Sequence, residues 1–221
     1  IAVESGVEAV VATPHCNQRG YFENYASEEL LGNFRTLQNE LKRSDIPLRV
    51  YLGMEVFGTE DAAKLFCEGK LLTVNGGRYM LTEFDFGADA YFMDRVLYSL
   101  RDAGCAPVVA HPERYEALQY SHSIVTKWLG DGMGIQINKG SLSGRFGRDA
   151  RQLAYELLEQ GLVSCIASDA HGTVQRTPDM SDIYEFLAVE YSPELARLLL
   201  KDNPNRIVQS RPLLSAQKIN Y

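Results

Sequence analysis

The sequence predicts an α/β protein in which parallel strands alternate with helices, arranged as a distorted TIM-like barrel. Three observations carry this expectation. Short apolar runs, the pattern of strands buried on both faces, alternate with amphipathic stretches about every 30 residues. Six such runs lead directly into polar residues, and the carboxyl ends of parallel strands are where barrels place their chemistry. No Gly-x-Gly-x-x-Gly turn follows any of them, which disfavours a Rossmann-type open sheet.

Taken in order, Ile1–Gly6 reads as the last turn of a helix closing on a C-terminal glycine, followed by a strand over Val7–Ala12 that leads to His15. Ser27, with Glu28 and Glu29 behind it, caps a helix whose apolar face is Leu30, Leu31, Phe34, Leu37 and Leu41. Asp45-Ile46-Pro47 breaks that helix, and a strand over Leu48–Met54 ends at Glu55. A short helix runs from Thr59 through Phe66. Gly69–Val74 and Arg78–Glu83 bracket Asn75-Gly76-Gly77, which predicts a hairpin.

Tyr91–Ala103 is helical in pattern, and Val108–Ala110 is a strand stopped by His111-Pro112. A helix around Ile124–Leu129 and a strand over Gly134–Ile137 follow. A helix marked by Leu153, Ala154, Leu157 and Leu158 closes at Gly161. The run Cys165–Ala167 leads to Asp169 and His171. Ser192-Pro193-Glu194 and Asn203-Pro204 each signal a helix start. With no linker or repeat, residues 1–221 read as one domain.

Composition narrows the class. Twenty-two basic against twenty-nine acidic residues give a formal charge of −7, which argues against a nucleic-acid surface. No apolar run approaches the ~20 residues that span a bilayer. The cysteines Cys16, Cys67, Cys105 and Cys165 form no C-x-x-C pair and suit a reducing cytoplasm. None begins the Cys-x5-Arg phosphate loop that thiolate phosphatase chemistry needs.

Three of the four histidines, His15, His111 and His171, terminate strand-like runs, and Glu55, Glu83 and Asp169 stand at corresponding places. One such histidine alone is a packing residue; their repetition predicts convergence on one metal site. Imidazole and carboxylate without thiolate suit manganese, iron or zinc. Six ligands exceed the needs of one catalytic ion, so two to three ions are expected, and clustered ions activate water for in-line displacement at phosphorus. Arg114 and Arg176, just beyond His111 and His171, suit a phosphoryl dianion. His122 is expected to be solvated, Gly140 to serve a tight turn, and Asp85 to face either the site or solvent.

The motifs ATPH at 12–15, GMEV at 53–56, LTEF at 81–84, AHPERY at 110–115, QINKGSL at 136–142 and SDAHG at 168–172, followed by Arg176, resemble the PHP (polymerase and histidinol phosphatase) superfamily. Within it the chain is most similar to the bacterial tyrosine phosphatases of capsule and exopolysaccharide clusters. The resemblance implies a distorted (β/α)7 barrel of the PHP type with a trinuclear site, usually manganese, with iron, magnesium or zinc as substitutes. Glu55 would bridge two ions, Glu83 and His111 would complete the second, Asp169 would bind the first, and His15 and His171 the third. Arg114 and Arg176 would be the catalytic, substrate-binding residues that hold the phosphoryl group.

The implied activity is hydrolysis of phosphotyrosine in a protein partner, a bacterial tyrosine kinase controlling polysaccharide export, in the cytoplasm. A histidinol-phosphate-type phosphatase and a metal-binding, kinase-docking module without catalysis are the rival readings. The family opens with a strand carrying His-x-His and then an acidic ligand. The expectation is that such a first strand lies upstream of Ile1, and that the ion shared by Glu55, Glu83 and His111 is the best held.

Overall fold

The structure, a computed structural model, describes residues 1–218. Its strands are β1 (Ala9–Ala12), β2 (His15–Cys16), β3 (Arg49–Leu52), β4 (Glu55–Phe57), β5 (Tyr79–Glu83), β6 (Ala106–Ala110), β7 (Gly134–Asn138) and β8 (Cys165–Ala167). Every ladder between them is parallel, so the α/β class holds. The ladders form a two-stranded sheet, β1-β3, and a six-stranded sheet in the order β2-β4-β5-β6-β7-β8.

These two sheets are continuous in register. Ala9 lies opposite Arg49 and Ala12 opposite Leu52; His15 lies opposite Glu55 and Cys16 opposite Val56, with no slip between the pairs. The ladder lapses only across Thr13-Pro14 and Gly53-Met54. Pro14 has no N–H to give, yet its carbonyl accepts from Glu55 N at 3.1 Å, and Gly53 N donates to Ala12 O at 2.9 Å. Counting each interrupted pair as one strand gives the six that the sequence predicts, laid side by side in chain order. No ladder among the described residues closes these strands into a ring. Glu55 and His15 therefore begin short strands of their own, past the break, instead of standing after a strand end.

Alternation decides which side chains meet which layer. On β5, Met80 joins the main core, while Tyr79 and Leu81 face a smaller cluster with Val108 and Ala110 of β6. The main core lies under the helices Ala90–Asp102, Ser123–Gly130 and Arg148–Glu159. These helices bury Leu97, Leu100, Trp128, Leu153 and Leu157 against Val109, Ile135 and Ile137. The first long helix, Glu28–Arg43, is capped by Ser27 Oγ accepting from Leu30 N at 3.1 Å, as its sequence requires. It buries no residue fully, and Leu37 of its apolar face is 42% exposed.

Two local expectations are corrected. No hairpin forms around Asn75-Gly76-Gly77. Asn75 and Gly76 adopt left-handed φ values of 52° and 65° within a 3₁₀ turn at Val74–Gly76. Both edges of β5 are already taken by the parallel neighbours β4 and β6. Nor does Asn203-Pro204 start a new helix. The helix opened by Ser192 at Pro193–Arg197 widens into a π turn at Leu198–Asp202 and continues as Asn203–Val208. Asn203 N donates to Leu198 O, five residues back, and the wider turn accommodates the donor and the space that Pro204 denies a regular helix.

Asn203 itself is fully buried. Its amide donates to Ser164 O (2.8 Å) and Leu214 O (3.0 Å), and its Oδ1 accepts from Leu214 N at 2.9 Å. It thereby ties the C-terminal segment to the start of β8. Asn203→Ala should leave several buried backbone groups unpaired and lower stability by about 2–4 kcal/mol, read as a shifted urea midpoint. An unchanged midpoint would show that the C-terminal segment is held by other contacts.

Candidate active site

The strands deliver eight predicted residues to one end of the sheet. His15 Nδ1 lies 2.7 Å from Glu83 Oε1 and 3.6 Å from Glu55 Oε2. His111 Nε2 lies 3.0 Å from Glu55 Oε1 and 3.7 Å from Glu83 Oε2. His171 Nε2 faces His15 Nε2 at 3.4 Å, and His171 Nδ1 is 3.5 Å from Asp169 Oδ1. Asp169 in turn is paired with Arg176 through Nη2 and has Arg114 Nη1 at 3.9 Å from Oδ2. His15, Glu55, Glu83, His111, Asp169, His171, Arg114 and Arg176 are thus one connected cluster. His122 lies elsewhere, beside Glu156, and Asp85 is exposed, accepting from Gly87 N.

Backbone geometry turns these side chains inward. His111 is left-handed, with φ 35° and ψ 53°, and leads into a 3₁₀ turn at Pro112–Arg114. Asp169 (φ 48°) and Arg176 (φ 50°) share that region, which non-glycine residues rarely enter. Tyr115, fully buried, fastens the turn after β6: its hydroxyl donates to Ala110 O and accepts from Phe84 N. His171 N donates to Arg176 O at 2.8 Å and closes the loop between those two residues.

The electrostatics follow from burial. Glu55 and Glu83 are only 5% and 8% exposed, and two carboxylates so poor in water require cationic or hydrogen-bonding partners. The two imidazoles answer that requirement. The hydrogen bond to Glu83 raises the pKa of His15 despite burial. Burial works against a charge on His111, but the bond to Glu55 and the charge of Glu55 outweigh it, so its pKa also rises.

The donors fit a divalent metal cluster. One ligand atom from each of His15, Glu55 and Glu83 lies within 4.8 Å of the others. The two imidazole nitrogens of His15 and His171 face each other, where at most one hydrogen can lie between them. Imidazole and carboxylate without sulfur match the ligand preferences of manganese, iron and zinc. Thiolate chemistry has no foothold at the buried cysteines: burial pushes Cys16 up to about 11 and Cys105 and Cys165 up to about 12.

Several residues at the site were not singled out by sequence reasoning. Asn138, at the end of β7, donates from Nδ2 to Asp169 Oδ2 at 2.7 Å. Fully buried Glu113 accepts from Asn138 N (2.9 Å) and Ser141 Oγ (2.6 Å), and burial raises its pKa. Its Oε2, His111 Nδ1 and Asn138 Oδ1 are buried without a partner among the described residues. Phe86 and Phe146 both lie against Arg114, their ring centres 4.3 and 4.2 Å from its guanidinium carbon. The adjacency of Glu113 to His111 and of Asn138 to a strand end was the available signal. For the phenylalanines there was none, because they lie on separate loops.

Comparison with known proteins places this geometry in context. Residues 1–209 match the family described as Capsular polysaccharide synthesis, CpsB/CapC. The chain is 30% identical over 201 residues to the tyrosine-protein phosphatase YwqE of Bacillus subtilis (strain 168), covering 91% of this chain and 78% of the relative. It is 30% identical over 211 residues to the tyrosine-protein phosphatase CpsB of Streptococcus pneumoniae, covering 93% and 86%. A solved structure from work on YwqE and CpsB, described as unique metal-dependent tyrosine phosphatases, superposes with a TM-score of 0.86 at 28% identity. That superposition covers 100% of this chain and 89% of the other.

The histidine–carboxylate contacts make a prediction with a definite sign. The folded pKa of His15 lies above the ordinary 6.5, so its pairing stabilises fully below that value and is lost as pH rises through the folded pKa. In chelator, the wild type should exceed His15→Gln in Tm at about pH 6, and the gap should narrow toward about pH 9. A gap that widens with pH would contradict the pairing.

Proposed function

The chain belongs to the CpsB/CapC family of capsular polysaccharide synthesis, and from that premise we propose that it is a metal-dependent tyrosine-protein phosphatase. The observation that carries the reading is the single cluster of three imidazoles, three carboxylates and two guanidinium groups at one end of a parallel sheet. Manganese is the proposed metal, as two to three ions. Glu55 would bridge two of them, Glu83 and His111 would hold the second, Asp169 the first, and His15 and His171 the third. When bound, such ions supply Lewis acidity and an activated water.

The chain's own residues account for the rest. Arg114 and Arg176 offer guanidinium donors to the phosphoryl oxygens, where negative charge must be held through the displacement. Asn138 and Arg176 both bond Asp169 Oδ2, which fixes that carboxylate and leaves its Oδ1 toward His171. Tyrosinate, with a parent pKa of ~10, leaves without a strong general acid. The substrate we propose is an autophosphorylated bacterial tyrosine kinase of polysaccharide export, met in the cytoplasm. In the same reading the two sheets in continuous register belong to a distorted (β/α)7 barrel. No helix among the described residues is long and apolar enough to cross a membrane.

The deciding experiment compares turnover of a phosphotyrosine peptide and of histidinol phosphate by the manganese-loaded protein. Preference for the peptide supports the reading, preference for histidinol phosphate moves the chain to small-molecule chemistry, and turnover of neither leaves a binding module. Chelation should abolish activity and manganese should restore it, whereas iodoacetamide should leave it intact. Inactivation by alkylation with metal content unchanged would overturn the mechanism. Activity should also fall below about pH 6, as protons compete with metal for the imidazoles; a flat profile to about pH 4 with metal retained would exclude histidine ligation.

A further inference from the structure

Arg114 and Arg176 stand on the same carboxylate in different states. Arg176 is bonded to Asp169 twice: through Nη2 to the carboxylate, and through Nε to the backbone oxygen at 3.1 Å. Arg114 comes no nearer than 3.9 Å to that carboxylate, and its side chain donates no hydrogen bond among the described residues. It is nonetheless only 20% exposed. A half-buried guanidinium with all its in-plane donors uncommitted would ordinarily swing onto the adjacent carboxylate, as Arg176 does.

Asp169 Oδ2 already accepts from Arg176 and Asn138, and Arg114 lies instead against two aromatic rings. The ring centres of Phe86 and Phe146 lie 4.3 and 4.2 Å from its guanidinium carbon, close enough for cation–π contact with each. Stacking covers the weakly hydrated faces and leaves the N–H edge available. Each ring is itself fixed. Phe86 packs on the His111 ring at 6.1 Å, and its backbone oxygen accepts from Glu116 N at 3.0 Å. Phe146 lies over Gly140, where a Cβ would come within 2.9 Å of the ring. The glycine expected to serve a turn is, instead, inside the short helix Lys139–Leu142 and gives the ring room.

We propose that Phe86 and Phe146 are positioning residues: they clamp the Arg114 guanidinium so that its uncommitted N–H edge is ready for the phosphoryl group of the substrate. This rests on the reading of Arg114 as a phosphoryl-binding residue. Phe86 is 44% exposed, so its truncation need not disturb the fold.

The test uses the manganese-loaded full chain, with inorganic phosphate as a competitive inhibitor of phosphotyrosine-peptide hydrolysis. Phe86→Ala with Phe146→Ala should raise the inhibition constant of phosphate by roughly 10-fold, with metal content and Tm near wild type. Phe86→Tyr with Phe146→Tyr, which keeps both rings, should restore it. In an Arg114→Ala background Phe86→Ala should have no further effect, since among the described residues Phe86 meets no other guanidinium of the site, whereas Phe146 also lies 5.9 Å from the guanidinium carbon of Arg176. If the double alanine variant loses Tm, Phe86→Ala alone supplies the measurement. Unchanged phosphate inhibition on ring removal overturns the proposal. So does a ring effect that persists undiminished without Arg114, which would mean that the rings touch substrate directly. If Arg114→Ala alone leaves phosphate inhibition unchanged, the phosphoryl-binding reading itself has failed, a result distinct from failure of the clamp.

Discussion

Two carboxylates held almost out of water, those of Glu55 and Glu83, impose the demand that the rest of this molecule is built to meet. Neighbouring strands bring them together, and neither could remain there without positive partners. His15 comes from the preceding strand and His111 from the following one, so each imidazole reaches both carboxylates. The strand order places like charge at the centre and its neutralisers on the flanks. Ions bound among these groups would take over that neutralisation, which is why the imidazole contacts and metal binding compete for the same atoms.

Rigid surroundings keep the demand from being evaded. Tyr115 pins the turn after β6 between Ala110 and Phe84. Asn138 and Arg176 both hold Asp169 through its Oδ2, and Glu113 links the 3₁₀ turn to the end of β7. Left-handed backbone at His111, Asp169 and Arg176 is tolerable because packing and hydrogen bonds over-determine these turns. Polar side chains are thus aimed by backbone conformations that isolated loops would not choose.

Much of this was legible in the chain because strand ends are marked by both composition and position. An apolar run followed by His-Pro-Glu-Arg or Ser-Asp-Ala-His announces where the strand stops and what stands there. The six strands, the Ser27 and Ser192 caps, and the gathering of eight residues all follow from such local marks. The failures are where tertiary contacts decide. Asn-Gly-Gly looks like a hairpin until both edges of β5 are occupied. Asn203-Pro204 looks like a helix start until a π turn absorbs the proline. Glu113 and Asn138 are significant through hydrogen bonds that no spacing encodes. Phe86 and Phe146 come together only on folding, and nothing in their neighbours says that both will lie against one guanidinium.

The burial of Cys16, Cys105 and Cys165 has a consequence for life under oxidants. Peroxide attacks the thiolate, and thiols raised to about 11 and about 12 carry almost none of it near neutral pH. A phosphatase whose nucleophile is a reactive cysteine can be silenced by a burst of peroxide and revived by reductant. This chain, which gathers imidazole, carboxylate and guanidinium groups at its site, offers no such handle at its buried sulfurs. Peroxide that halts thiol-based enzymes would find almost no thiolate to attack at these three positions.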